Sequence, residues 1–271
     1  MDVHTIKQQE IMGYIAFVRK IRSSPKYKEM VEEGYLDADL KKATERYRKD
    51  KKFQKVLNIL NLRGTEKILE FGCGRAMASY FFAKKGCFTV SMDMNQSKEC
   101  GLAAIKDYKK FSKVSLNPVA GDIERSPLKD DVFDVVYCNH VLHHATDMDA
   151  MVREAARSLK PDGIFIAQSE VMKPPFMSDA KWRKDFLAAQ LGANEHLYTT
   201  FRYKKALKRA GLTQVKAISL VELDAIKQSK TMKGKLAYRL LKYKPLFSLF
   251  SRAYAYFGLP GNPILLYGKK S

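Results

Sequence analysis

Glu70, Asp93, Asp122 and Asn139 each stand at or beside the end of an apolar run, and His140, His143 and His144 follow closely on Asn139. Carboxylates and amides at strand ends can hold hydroxyls, amines and ammonium groups. Histidine is the side chain whose ordinary pKa suits general-base work near neutrality. Of the five histidines, His140 ends a strand pattern, His196 lies in the polar and aromatic stretch Asn194-Glu195-His196-Leu197-Tyr198, and His4 is remote from both. Proton abstraction from an acceptor held near these groups is the chemistry their types suggest, with His140 or His196 as the base and Glu195 and Tyr198 as further candidates. Binding of an acceptor without proton transfer suits the same residues. At least one of His143 and His144 is expected to pack against the next helix.

The elements that must position these groups are clearest from Lys67 to Asp93. Ile68-Leu69-Glu70-Phe71 breaks into Gly72-Cys73-Gly74-Arg75-Ala76; Met77, Ala78, Tyr80, Phe81 and Phe82 give a buried helix ended by Lys84-Lys85-Gly86; Phe88 to Met92 stops at Asp93. Strand, glycine turn, helix, strand and acid make a mononucleotide-binding βαβ unit. A dinucleotide site would need a third small residue where Met77 stands, and Glu70 beside the turn would repel a pyrophosphate. The same acid suits a ligand whose near end carries an ammonium and a sulfonium, as the methionine part of S-adenosylmethionine (SAM) does. Asp93, 21 residues after Gly72, is placed for a bidentate hydrogen bond to ribose hydroxyls.

Glu70-x-Gly72-x-Gly74 with Asp93 resembles motif I and the following acidic loop of the class I SAM-dependent methyltransferases. Further on, Phe133 to Cys138 reads as a strand, Leu142-His143-His144 leads to a helix, and Leu159-Lys160-Pro161-Asp162-Gly163 leads to a fifth strand, Ile164 to Ala167. That order resembles the small-molecule branch of the family, which includes quinone- and sugar-modifying enzymes. The likeness covers about residues 64–170, and more loosely 200–220 and 262–268; it departs from the family where Ala76 replaces a third glycine.

The resemblance implies an α/β fold: a Rossmann-like, doubly wound, seven-stranded and mostly parallel sheet, with N-terminal helices and a helical cap from insertions after strands 5 and 6. It implies SAM as cofactor, held by Glu70, Gly72, Gly74, Asp93, Met94, Asp122, Ile123 and Asn139. In it, Asp122 would accept from the adenine amine and Ile123 would pack on the ring, and no metal is implied. The expected organisation is a helical segment at 1–60, a SAM-binding core at 61–220 with a substrate-side insertion at 171–200, a basic and aromatic cap at 221–260, and a last core strand at 261–271.

Taken in order, residues 1–60 read as two or three helices, with Ile11, Tyr14, Ile15, Val18 and Ile21 at helical spacing. Tyr47 either packs or reaches the cofactor's carboxylate end. Ser97 to Lys110 reads as a helix and Ser115 to Ala120 as a third strand carrying Pro118. Thr146 with Asp149 reads as a capping box. Tyr203 to Gly211 reads as a helix, Thr213 to Leu220 as the sixth strand, and Pro263 to Gly268 as the last strand, antiparallel between the fifth and sixth in the family. Ligands of such sheets sit outside the carboxyl ends of the parallel strands, so both insertions should overhang the reacting centre. The first holds Phe176, Trp182 and Phe186. In the second, leucines, tyrosines and phenylalanines alternate with Lys233, Lys235, Arg239, Lys242, Lys244 and Arg252, and Pro245 splits the run into two helices. Such a stretch suits a cap over an apolar anionic substrate, an element lying on an anionic membrane, or an amphipathic cap with a solvated outer face.

The formal charge of +20 raises the odds of an anionic partner and equally suits a solvated basic surface. Four cysteines without paired or metal-like spacing read as reduced thiols. No secretory signal is read before the first helix and no apolar run approaches the roughly 18 residues of a membrane span, so a soluble cytoplasmic protein is expected. The expected function is methyl transfer to a small-molecule acceptor, more at oxygen than at nitrogen or carbon, with peripheral membrane contact open. The alternatives are an RNA-directed methyltransferase, a non-catalytic scaffold binding an anionic partner or membrane surface, and a nicotinamide oxidoreductase. Nucleic acid is disfavoured. Base-amine enzymes carry Asn/Asp-Pro-Pro-aromatic after strand four, whereas Lys173-Pro174-Pro175-Phe176 follows strand five, and no cysteine follows a proline. Glu70 and Met77 oppose the oxidoreductase.

Overall fold

Short β-branched and aromatic runs bounded by glycine or polar turns supply seven strands, and the computed structural model pairs them into one sheet; it describes residues 3–173, 178, 180, 196, 198–228, 231–257 and 263–271. The strands are β1 (Lys67–Phe71), β2 (Phe88–Asp93), β3 (Asn117–Ala120), β4 (Phe133–Asn139), β5 (Leu159–Val171), β6 (Leu212–Ser219) and β7 (Pro263–Lys270), in the order β3-β2-β1-β4-β5-β7-β6. β1 to β5 run parallel, and β7 lies antiparallel between β5 and β6, as expected. β3 is an edge strand, where the N–H that Pro118 lacks is not missed. The reversal of strand order between β1 and β4 puts the carboxyl ends of β1, β2 and β4 around one crevice.

The helices among the described residues are α1 (Val3–Arg22), α2 (Lys28–Glu33), α3 (Leu40–Arg48), α4 (Lys51–Leu60), α5 (Met77–Lys84), α6 (Met148–Ser158), α7 (Thr200–Arg209), α8 (Leu223–Lys227), α9 (Met232–Leu241) and α10 (Lys244–Phe257). The N-terminal part therefore holds four helices rather than two or three. Asp39 and Asp50 each cap a new helix start, and Pro25 begins a separate 3-10 turn at Pro25–Tyr27. α4 and α5 pack on one face of the sheet through Phe53, Val56, Phe82, Tyr137 and Ile166, and α6 and α7 on the other through Val136, Met151, Val152, Phe165 and Leu207.

Three local expectations are corrected. The stretch after β2 is not helical from Ser97; it becomes a 3-10 helix at Leu102–Lys110, because Asn95 folds a turn over it and its side-chain oxygen accepts from Ser97 N. A side chain at Gly101 would come within 2.2 Å of Asn95 O. The cap of α6 is Asp147 rather than Thr146: its carboxylate accepts from Ala150 N, while Thr146 N is drawn to Glu124. Lys160-Pro161-Asp162-Gly163 does not separate helix from strand; it is an irregularity within β5, where the pairing jumps from Phe133↔Leu159 to Val135↔Ile164.

The stretch after β6 forms α8, α9 and α10, split just before Pro245. α10 packs on β6 and α7, with Tyr254 and the partly buried Phe250 joining the core, and Lys51 of α4 holds Glu222 and Asp224 at the start of the insertion. Most of the stretch after β5, including Phe176, Trp182, Phe186, Asn194, Glu195 and Leu197, lies outside the described residues.

Candidate active site

The glycine turn after β1 is held by the acid that ends β2. Gly74 N donates to Asp93 Oδ2 at 2.7 Å and Asn95 N to Asp93 Oδ1 at 2.7 Å, so each carboxylate oxygen accepts one backbone N–H and keeps a lone pair for a ligand. Burial raises the Asp93 carboxyl above its ordinary value, and the bonds from Asn95, Gly74 and Met94 pull it back. Gly72 sits at φ 60°, and a Cβ there would lie 2.6 Å from Val141 Cγ2, so only glycine lets the turn approach the loop after β4. Ala76 takes a left-handed conformation at φ 56° just before α5, with its methyl buried. This is the position where the resembling family has glycine.

Glu70 is 4% exposed, and its Oε2 accepts from Ser79 N at 2.8 Å and Ser79 Oγ at 2.6 Å. Burial is the main cause that pushes its pKa up to about 7, with the Ser79 bonds working against it and the charge of Asp93 adding to it. A carboxyl whose folded pKa is raised contributes stability below its unfolded pKa and loses it as pH rises towards 7. Glu70→Gln keeps the acceptor for Ser79 and removes the titration. We therefore expect the unfolding free energy of the wild type, relative to this variant, to fall by roughly 2–3 kcal/mol between pH 5 and pH 8. Denaturant titrations of both proteins at the two pH values check this; parallel curves would refute it.

α1 crosses the carboxyl ends of the strands as a roof. Its Lys7 Nζ lies 2.9 and 2.8 Å from the two Asp122 oxygens and 2.7 Å from Glu124 Oε2, and Glu124 Oε1 accepts from Thr146 N. Burial works against the Lys7 ammonium, but the bonds to Asp122 and Glu124 more than offset it and its pKa ends above the ordinary value. Further along α1, Tyr14 meets the His144 ring at 6.2 Å between centroids, Arg19 pairs with Glu99, and Ile15, Val18 and Ile21 pack with Cys100. The loops after β2, β3 and β4 are thus tied under one helix. An amine held by Asp122 would share that carboxylate with Lys7. Ile123 packs partly buried against the core, and Met94 is half-buried beside Asp93. Asn139 Oδ1 at the end of β4 is buried and accepts no hydrogen bond among the described residues.

The loop after β4 gathers the histidines. His140 stands at φ 57°, a region that non-glycine residues seldom occupy and that concentrates at functional sites. Its N–H donates to Gln168 O at 3.0 Å, and its side chain is exposed at the end of the strand. Surrounding protein first, and the neighbouring His143 second, lower its pKa below the ordinary histidine value. His143 is buried, with Nδ1 2.7 Å from Glu170 Oε2. His196 N donates to His143 O at 2.8 Å, and the His196 ring lies on Tyr198. His140 and His196 are therefore brought to the same loop.

Beneath that loop, Glu170 is 0% exposed and accepts from Val141 N, Leu142 N and His143 N as well as the His143 ring. Burial acts to raise its pKa, but His143 and the backbone donors prevail and hold it below the usual carboxylate value. Tyr47 packs: its hydroxyl meets that of Tyr137 at 2.8 Å, which in turn donates to Gln168. Glu170, Lys7, Ser79 and Gln168 were not singled out from the sequence. An acid inside the apolar β5 run was the one available signal for Glu170. Among the described residues no cluster of histidine, cysteine or carboxylate side chains is arranged to hold a metal, and all four cysteines are free and buried.

Residues 69–167 match the family described as a methyltransferase domain. Over 98 residues the chain is 35% identical to a demethylmenaquinone methyltransferase of Mycobacterium marinum, covering 36% of this chain and 38% of that protein. Over 104 residues it is 28% identical to a ubiquinone biosynthesis O-methyltransferase of Coxiella burnetii, covering 38% and 43%. These matches span about two fifths of the curated relatives' length. Among solved structures it is similar to a Haemonchus contortus phosphoethanolamine N-methyltransferase 2 complexed with S-adenosylhomocysteine, with a TM-score of 0.58 and 14% identity over 81% of this chain and 52% of that one, a likeness of fold.

Proposed function

We propose that this chain, whose residues 69–167 match the methyltransferase-domain family, is a class I SAM-dependent enzyme that transfers a methyl group to a small-molecule acceptor by in-line displacement, with oxygen as the acceptor atom. The observation that carries the reading is the meeting, at the carboxyl ends of the paired β1 and β4, of Glu70, the Asp93-braced glycine turn and Asn139, beside a loop that holds His140. These residues fit the cofactor. Asp93 keeps a lone pair on each oxygen for ribose hydroxyls, Gly72 and Gly74 give the turn its positive φ, and Asn139 Oδ1 is a buried acceptor with no donor among the described residues. When bound, SAM supplies a methyl group already activated by its sulfonium.

What remains for the protein is positioning and the exclusion of water. Glu70 supplies a charge that a cationic ligand keeps ionised, since a nearby positive charge lowers a carboxyl pKa. Met94 and Ile123 offer apolar contact and Asp122 an acceptor at the adenine end. His140 or His196 takes the acceptor's proton. A lowered pKa keeps His140 neutral, hence able to accept a proton, throughout the neutral range. The net charge of +20 favours an anionic acceptor, and the names of the relatives favour one of quinone type. Such an acceptor is partly apolar, which makes contact with a membrane surface part of the same reading.

Calorimetric titration with S-adenosylhomocysteine, with NADH as control, tests the cofactor: micromolar binding of the first alone is expected, and no binding would move the reading to a scaffold. His140→Ala and His196→Ala separate the roles. At least one should lower turnover by roughly 10²-fold or more with product binding unchanged, and with His140 as base the acid limb of the rate profile should lie below pH 6.5. Full turnover in both variants would remove the base from the mechanism.

A further inference from the structure

The pair α9 and α10 turns only part of its apolar surface inwards. Phe250 and Tyr254 of α10 join the core. Met232, Leu236 and Leu240 recur every fourth residue along α9 and are exposed, Met232 at 86%; Leu246, Leu249 and Phe257 of α10 are exposed as well, Leu249 at 67%. Beside the α9 row run Lys235, Arg239 and Lys242, all exposed, and Lys244 and Arg252 continue the positive charge onto α10. No aspartate or glutamate follows Asp224 anywhere in the chain.

We propose that this face docks on an anionic lipid bilayer. An interfacial element combines aliphatic and aromatic side chains that enter the headgroup boundary with lysine and arginine that meet anionic headgroups. Both are present here, in adjacent rows of one helix pair. A second copy of the chain is a poor occupant of the face, because it would bring two acid-free basic fringes together. A nucleic acid would satisfy the cations but leave Met232, Leu236, Leu240 and Leu249 without a partner, since aliphatic side chains do not stack on bases. No helix among the described residues is long and apolar enough to cross a membrane, so the contact lies in the plane of the surface. Docking would set the site where an apolar acceptor dissolved in lipid can be reached. The inference extends the reading above, yet vesicle binding and product binding are read separately, so either can fail alone.

The experiment is co-sedimentation of the full chain with vesicles of phosphatidylcholine alone and of equimolar phosphatidylcholine and phosphatidylglycerol. The wild type should bind the mixed vesicles at least about tenfold more strongly than the neutral ones. The triple variants Leu236→Ser/Leu240→Ser/Leu249→Ser and Lys235→Glu/Arg239→Glu/Lys242→Glu should each lose about tenfold or more. All six positions are exposed, so circular dichroism and S-adenosylhomocysteine binding should match the wild type and exclude misfolding. Absence of wild-type binding, equal binding to both vesicle types, or undiminished binding of the serine variant would each overturn the proposal. So would a dimer that the serine variant dissolves while the wild type ignores vesicles.

Discussion

Asp93→Ala should abolish S-adenosylhomocysteine binding, with a loss of at least about 100-fold, because it removes two charge-assisted acceptors from the ribose, each worth roughly 1.5–3 kcal/mol. The sequence places Asp93 as a ribose ligand only. The structure adds a second effect, since the same carboxylate accepts from Gly74 N and Asn95 N, and both donors lose their partner in the variant. A lost partner costs about 1–3 kcal/mol for each donor that stays buried, so unfolding should also come earlier, by several degrees. Calorimetry with the product and a thermal melt read the two effects apart. Asp93→Asn refines the test: its amide keeps one acceptor, so it should recover part of the thermal stability while product binding stays weak. Unchanged affinity in Asp93→Ala would sink the assignment of the cofactor site.

Glu170→Ala in β5 should be the single change most disruptive to the loop that carries the histidines, costing about 3–5 kcal/mol. Three backbone donors and the His143 ring lose a partner that is wholly buried. Glu170→Gln keeps one acceptor oxygen and replaces the other with a donor facing His143, so it should cost less but still disturb the loop. Because the folded pKa of Glu170 is depressed, its contribution is present above the unfolded carboxylate value and is lost as pH falls through the folded one. The wild type should therefore lose more stability than Glu170→Gln on acidification below about pH 4, opposite in sign to the effect of Glu70 above that range. Denaturant melts across pH 3 to 6 check the prediction. Equal acid sensitivity of the two proteins would show that Glu170 is not the charged anchor of this loop.

The sheet and the cofactor end were legible because their signals are local. Glu70, Gly72, Gly74 and Asp93 belong to one βαβ unit, in which a tight turn needs residues free to take positive φ and an acid at the next strand's tip faces that turn. Asn139 and His140 were placed by the clearest apolar strand in the chain. Less legible were the ends of elements, where tertiary partners compete with local propensity. Glu124 draws Thr146 away from the cap of α6, and the Asn95 turn delays the helix after β2.

Spacing along the chain determined the α/β class, the strand order implied by the resemblance, the acids at the strand tips and the break at Pro245. Packing alone decided that Lys7 would meet Asp122 across 115 residues, that Glu170 would anchor His143 and the turn before it, and that Tyr47 would spend its hydroxyl on Tyr137. Only packing could decide which of the leucines and phenylalanines of α9 and α10 turn inwards and which remain exposed beside the lysines. Periodicity marks an apolar face, but whether a neighbour covers that face depends on elements far away in sequence.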